Sequence, residues 1–149
     1  MYEQPKLITD FHAPGYEFLS NFYPCKVEYE GLTYLSSEAA FQAAKTFNVH
    51  DRTRFTTMTP GVSKKEGRKL AIRPDWDSAR FGVMWVILCN KFRQHQDLLI
   101  KLKATAPTYL IEGNMWHDNT WGVCFCDKCK VRHEGSSNWL GKLLMKARD

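Results

Sequence analysis

No stretch of this 149-residue chain is apolar for long enough to cross a membrane. The longest such run, Val83 to Cys89, falls far short of the roughly 18 residues that a spanning helix needs. The opening residues, Met1-Tyr2-Glu3-Gln4-Pro5-Lys6, lack the apolar core of a secretory signal. There is no internal repeat, low-complexity tract or linker. The five cysteines are odd in number, and Cys25 and Cys89 stand in apolar surroundings, unlike the dense, even set of a disulfide framework. These absences give the expectation of one cytoplasmic domain spanning residues 1–149 with no membrane partner. Excess charge is also small. Lys and Arg outnumber Asp and Glu by 21 to 16, a net +5 that suits a phosphate-bearing substrate or nucleic acid without demanding one. What is present is ordinary for a globular protein, with 44% hydrophobic and 25% charged residues, so disorder is excluded over most of the length.

The pattern predicts a mainly α chain (α+β class) with a small β element. Cys25 to Tyr34 reads as a hairpin turning at Glu30-Gly31. Ser36 or Ser37 caps a helix that runs to about Phe47, with Glu38 in its first turn. Further helices are expected over Asp51 to Met58, after Thr59-Pro60-Gly61 as far as Arg73-Pro74, and from Trp76 to about Arg93 with Asp75 as its cap. In the last of these, Phe81, Met84, Trp85, Leu88 and Phe92 recur at helical spacing and form a core stripe. Gln94 to Ala104 is another helix and Thr108 to Ile111 a short strand. Asn138 to Arg148 closes the chain as a helix with Leu140, Leu143 and Leu144 inside.

The helix from Ser37 carries the most information. Ala39, Ala40, Ala43, Ala44 and Phe47 fall on one side, where small residues let a neighbour approach. Glu38, Phe41, Gln42 and Lys45 fall at i, i+3, i+4 and i+7 on the other. A carboxylate, an aromatic ring, an amide and an amine on one stripe suit the wall of a site. A solvated stripe with an intrahelical ion pair is the competing reading, against which the large ring of Phe41 argues.

An ordered set of segments resembles the NADAR (YbiA-like) family. It comprises Phe18-Leu19-Ser20-Asn21-Phe22-Tyr23-Pro24, Gly31-Leu32-Thr33-Tyr34, Ser37-Glu38-Ala39-Ala40-Phe41-Gln42-Ala43-Ala44-Lys45, and Pro60-Gly61 with Lys64-Lys65-Glu66-Gly67-Arg68. Trp76, Arg80, Met84 and Lys91-Phe92 follow, then Leu110-Ile111-Glu112, Asp118, Trp121-Gly122, Asn138 to Met145, and Arg148. The resemblance implies a largely helical domain that hydrolyses an N-glycosidic bond. One branch of the family is linked to removal of ADP-ribose from guanine in DNA. Another is linked to splitting of phosphoribosylamino-pyrimidine intermediates of riboflavin synthesis. Two departures stand out. The family often has His after the helix Glu, where this chain has Ala39. The stretch after Trp121-Gly122 is commonly short and glycine-rich, whereas here it holds Val123-Cys124-Phe125-Cys126-Asp127-Lys128-Cys129-Lys130.

Breaking a ribosyl–nitrogen bond requires stabilisation of positive charge at the anomeric carbon and a proton for the leaving nitrogen. Glu38 is the expected acid/base, since a carboxyl in a partly apolar pocket beside Phe41 and Trp76 holds its proton to higher pH. Lys45 is expected either as a nucleophile that exchanges into a ring-opened imine or as a counter-ion for phosphate or for Glu38. Asp118 binds ribose hydroxyls, positions water, or simply caps the turn His117-Asp118-Asn119-Thr120. Trp76 stacks on the base or anchors the core. Asn21, Phe22 and Tyr23 form a binding loop, and Lys64, Arg68 and Arg80 are candidates for phosphate contacts. Trp121 and Gly122 join the substrate-binding set through the resemblance. Asn138 is either the N-cap of the last helix or part of a phosphate site there.

Cys124, Cys126, Cys129 and His133 follow a C-x-C-x2-C-x3-H order. Those ligand types suit a structural zinc, and free thiols or a reduced loop fit the compact spacing as well. No cofactor is expected for catalysis. The substrate readings are an ADP-ribosylated guanine nucleotide or DNA, with an ADP-ribosyltransferase toxin as candidate partner, or a phosphoribosylamino-pyrimidine. A non-catalytic ADP-ribose or NAD binding module is the reading from another class, and it leaves the pairing of Glu38 with Lys45 without a purpose.

Overall fold

A computed structural model describes residues 6–130 and 135–149. The chain resolves into two units, a central one of residues 21–96 and a terminal one built from residues 1–20 and 97–149. The class is α+β, as expected, with short strands and mostly helical regular structure.

The central unit begins with the hairpin. Strands β2 (Val27–Tyr29) and β3 (Leu32–Tyr34) pair antiparallel, Val27 opposite Tyr34. Glu30 and Gly31 both take positive φ, 46° and 85°, which is the turn that matches the twist of a tight hairpin. Ser36 then caps α1 (Ser37–Ala43), its Oγ accepting from the Ala39 N–H at 3.1 Å. Next come α2 (Val49–Phe55), capped by Asn48, and α3 (Pro60–Gly67), capped by Thr59 with Pro60 in its first turn. The long α4 (Trp76–Gln94) completes the unit. Helix α1 packs against α2, α3 and α4, so every one of its residues is buried. Helix α4 also packs on β2, where Asn90 Nδ2 donates to the Glu28 carbonyl at 2.8 Å.

Several boundaries differ from expectation. Helix α1 stops at Ala43 rather than near Phe47, and Phe47 is exposed instead of lying in the core. Arg73 explains both. Its main-chain N–H donates to the Lys45 carbonyl at 2.7 Å, and its guanidinium lies 4.1 Å over the Phe47 ring. Asp75 does not cap α4 with its side chain, because both carboxylate oxygens accept from Arg73 at 2.6 and 2.8 Å. Helix α3 ends at Gly67, well before Arg73-Pro74. The buried stripe of α4 keeps Met84, Leu88 and Phe92 but adds Val83, Ile87 and Lys91, leaving Phe81 and Trp85 half-buried.

In the terminal unit, β1 (Leu7–Ile8) runs parallel to β4 (Tyr109–Leu110), and β5 (Gly113–Asn114) runs parallel to β6 (Val123–Cys124). Helix α5 (Gln96–Ala104) precedes them, the four-residue α6 (Asp127–Lys130) follows, and α7 (Trp139–Arg148) closes the chain with Leu140, Leu143 and Leu144 buried. Strands β1, β5 and β6 are too short to carry a period and were not expected. Among the described residues, no helix is long and apolar enough to cross a membrane.

Candidate active site

Burial decides between the two readings of the α1 stripe. Glu38, Phe41 and Gln42 are 9%, 7% and 6% exposed, so these three do not form a solvated face. A buried carboxylate needs partners, and Glu38 has them. Gln42 Nε2 donates to its Oε1 at 2.8 Å, one turn along the helix. The Glu38 N–H donates to the Asn21 carbonyl at 3.0 Å, which ties the loop Asn21-Phe22-Tyr23 to the first turn of α1. Asn21 Nδ2 in turn points at the Met84 sulfur, 3.7 Å away. Phe41 packs on Trp76 with ring centroids 5.0 Å apart and planes tilted by 50°, an ordinary aromatic contact that puts an apolar wall one turn from the carboxylate.

Helix α3 supplies the opposite chemistry. Its Gly67 approaches α1 so closely that a Cβ there would meet Gln42 Oε1 at 2.0 Å, so any larger residue would have to push that amide aside. Lys64 Nζ lies 5.9 Å from the Phe22 ring centre, while Arg68 is exposed. Lys45 lies just past the end of α1. Burial lowers its pKa, the negative charge of Glu38 opposes that shift, and the positive charges of Arg68 and Lys64 reinforce it. Thus Lys45 senses Glu38, Lys64 and Arg68, and an amine with a lowered pKa is a better nucleophile at neutral pH.

Five buried oxygens in this unit have no hydrogen-bond partner among the described residues: Asn21 Oδ1, Tyr34 Oη, Ser37 Oγ, Gln42 Oε1 and Ser63 Oγ. Buried polar atoms are ordinarily satisfied, so a concentration of them along α1 and its neighbours marks positions able to bond a ligand. Ser37 and Ser63 escape sequence reasoning. Ser37 reads as an alternative cap, and only after Ser36 fills that role does its hydroxyl become available. Lys91 also escapes it. The side chain is fully buried, with Nζ 5.8 Å from the Tyr23 ring centre, and burial brings its pKa down to about 8 against the pull of Cys25. Arg80 has its guanidinium over Phe81 at 4.8 Å, and its buried Nε has no hydrogen-bond partner among the described residues.

The remaining expected site residues lie in the terminal unit, where their contacts are architectural. Asp118 Oδ1 accepts from the N–H groups of Thr120 and Trp121 at 3.0 and 2.9 Å, which is the turn-capping role. A Cβ on Gly122 would meet the Glu112 carbonyl oxygen at 2.0 Å. Asn138 occupies the N-cap position of α7, as expected, but its side chain makes no capping bond there. It sits at φ 47°, donates from Nδ2 to the Leu110 carbonyl at 2.9 Å, and accepts from the Glu112 N–H at 3.1 Å. The side chain therefore staples the start of α7 to β4.

With this geometry in place, comparison with known proteins is decisive. The NADAR domain model matches residues 10–149. This chain belongs to the NADAR family. N-glycosidase YbiA of Escherichia coli is 34% identical over 147 residues, covering 95% of this chain and 87% of that protein. A riboflavin biosynthesis protein of Vibrio vulnificus is 30% identical over 149 residues, 93% of this chain but 37% of its own length. The NMR structure of E. coli YbiA superposes with a TM-score of 0.81 at 32% identity, covering 99% of this chain and 85% of that one. These relatives, with an N-glycosidase of Nostoc punctiforme 27% identical over 140 residues, are named for N-glycosidase activity or riboflavin biosynthesis.

Proposed function

We propose that this NADAR chain is an N-glycosidase that hydrolyses the bond between the anomeric carbon of a ribose and an exocyclic amine, removing ADP-ribose from guanine in nucleotides or DNA. The observation that carries the reading is the buried Glu38, held by Gln42 beside the Phe41–Trp76 pair and within electrostatic reach of a partly desolvated Lys45. Glu38 delivers a proton to the departing amine as the carbon–nitrogen bond breaks. Water then adds its oxygen to the anomeric carbon and returns a proton to the carboxylate. Where the sugar ring opens to an imine, Lys45 displaces the amine, and water hydrolyses the resulting Schiff base to free ADP-ribose and the lysine. The exposed cations Lys65, Arg68 and Lys69 on and after α3 suit a diphosphate or a DNA strand. An ADP-ribosyltransferase toxin would be the source of such a substrate.

A second reading, hydrolysis of a phosphoribosylamino-pyrimidine, is favoured by the relatives named for riboflavin biosynthesis. The test is incubation with an oligonucleotide carrying ADP-ribosylated guanine. The parent releases ADP-ribose, Glu38→Gln slows release by about 10²–10⁴-fold, and borohydride traps an adduct that Lys45→Ala abolishes. No release from the folded parent would overturn the guanine reading, and turnover of the pyrimidine substrate in the same assay would establish the second.

A further inference from the structure

The cysteine-bearing loop of the terminal unit brings together four side chains that no part of the hydrolytic site uses. His117, Cys124, Cys126 and Cys129 each offer one ligand atom, and all four atoms lie within 4.8 Å of one another. The His117 Nδ1 is 3.4 Å from Cys126 Sγ, 3.4 Å from Cys129 Sγ and 3.9 Å from Cys124 Sγ. A ring nitrogen has one proton or one lone pair, so it bonds one of those sulfurs, and hydrogen bonding gives no reason for all three to gather round it. A tetrahedral zinc explains all three. With Zn–S near 2.3 Å and Zn–N near 2.0–2.1 Å, neighbouring nitrogen and sulfur ligands sit about 3.6 Å apart.

We propose that His117, Cys124, Cys126 and Cys129 form a structural zinc site that fastens the loop between β5 and α6. His133, the fourth ligand that the sequence order suggests, lies outside the described residues, and the geometry assigns its place to His117. The order becomes H-x6-C-x-C-x2-C. His117 takes a left-handed backbone, φ 69°, which is uncommon for a residue with a side chain and turns up where the surroundings impose it. The sulfurs also receive hydrogen bonds from outside the four ligand atoms. The His117 N–H points at Cys124 Sγ from 3.3 Å, and Asn119 Nδ2 points at Cys129 Sγ from 3.4 Å. Asn119 is itself fixed, its Oδ1 accepting from the Cys124 N–H at 2.9 Å and from Ser136 Oγ at 2.8 Å. Outer donors of this kind orient and stabilise metal-bound sulfur. Three soft thiolates and an imidazole select zinc over magnesium or calcium, and four protein ligands close the coordination sphere, so the ion serves architecture rather than catalysis.

Elemental analysis of the full chain purified without chelator tests the proposal, with one zinc per chain expected. Replacement by cobalt(II) gives intense visible bands and a near-ultraviolet thiolate-to-cobalt transition. His117→Ala weakens zinc retention against a competing chelator by more than the roughly 100-fold that losing an outer hydrogen bond costs, whereas His133→Ala leaves it unchanged. His117→Cys keeps four ligands, retains the metal and shifts the cobalt spectrum, which guards against mistaking a misfolded variant for a lost ligand. The proposal is overturned if the parent takes up no zinc after supplementation, if the cobalt form lacks the thiolate transition, or if His133→Ala loses the metal and His117→Ala keeps it.

Discussion

The two units reach order by different means. In the central unit, helices with apolar faces pack around α1, and side chain meets side chain. In the terminal unit, paired strands are two residues long, and the intervening chain is held by Asn114, Asp118, Asn119 and Asn138 bonding to main-chain groups. A packed helix can absorb a small intrusion by moving a side chain. A loop defined by carbonyls and amides cannot, because its neighbours are backbone.

The same mutation in the two units measures that difference. Gly122→Ala drives a methyl into the Glu112 carbonyl and should destabilise the protein by about 3 kcal/mol, at the upper end of overpacking costs. Gly67→Ala meets the end of the Gln42 side chain instead and should cost only about 1 kcal/mol. It displaces the amide that holds Glu38, so hydrolysis should fall further than stability does. Urea denaturation alongside turnover separates the two, and equal destabilisation would remove the distinction.

The central unit also carries a burden that pH reveals. Lys91 has its pKa brought from 10.5 to about 8 by burial, with Cys25 acting in the opposite sense. The folded chain thus holds this proton less tightly than the unfolded chain. The cost is fully present below about pH 8 and disappears as pH rises from there toward 10.5. At 1.36 kcal/mol per unit, the window is worth up to about 3 kcal/mol. Lys91→Met should therefore gain most over the parent near neutrality and lose that advantage toward pH 10.5, as read from denaturation curves at a series of pH values. A constant difference would show that burial does not set this pKa.

Caps give the smallest contrast. Asn138→Ala removes two hydrogen bonds to main-chain groups of the terminal unit and should cost about 2 kcal/mol. Ser36→Ala removes one cap bond from α1 and should cost about 1 kcal/mol. Thermal unfolding of the pair ranks them, and the reverse order would mean that helix packing depends on its caps more than the loop depends on its staple.

What could be read from sequence follows the same divide. The hairpin, the start of α1 at its serine cap and the start of α4 at Trp76 all carry local signals of turn residue, cap or period. The end of α1 does not, because Arg73 sets it from a distance in sequence. The stripe Glu38, Phe41, Gln42 and Lys45 was visible from spacing, but its burial depends on α3 closing over it through Gly67. Arg80 is legible from its residue type and from the ordered family segments, and its guanidinium lies over Phe81. In the loop, residue types announced a metal-like cluster, yet the turn that swings His117 toward the cysteines has no periodic signature.

Strand β1 has a consequence for how the chain comes off the ribosome. Leu7 pairs with Tyr109, so it must wait for a partner translated well after the whole of residues 21–96. Residues 21–96 have all their internal partners well before that. The order of synthesis therefore favours a nascent chain in which the cluster around α1 is already assembled while β1 is still unpaired and open to chaperones.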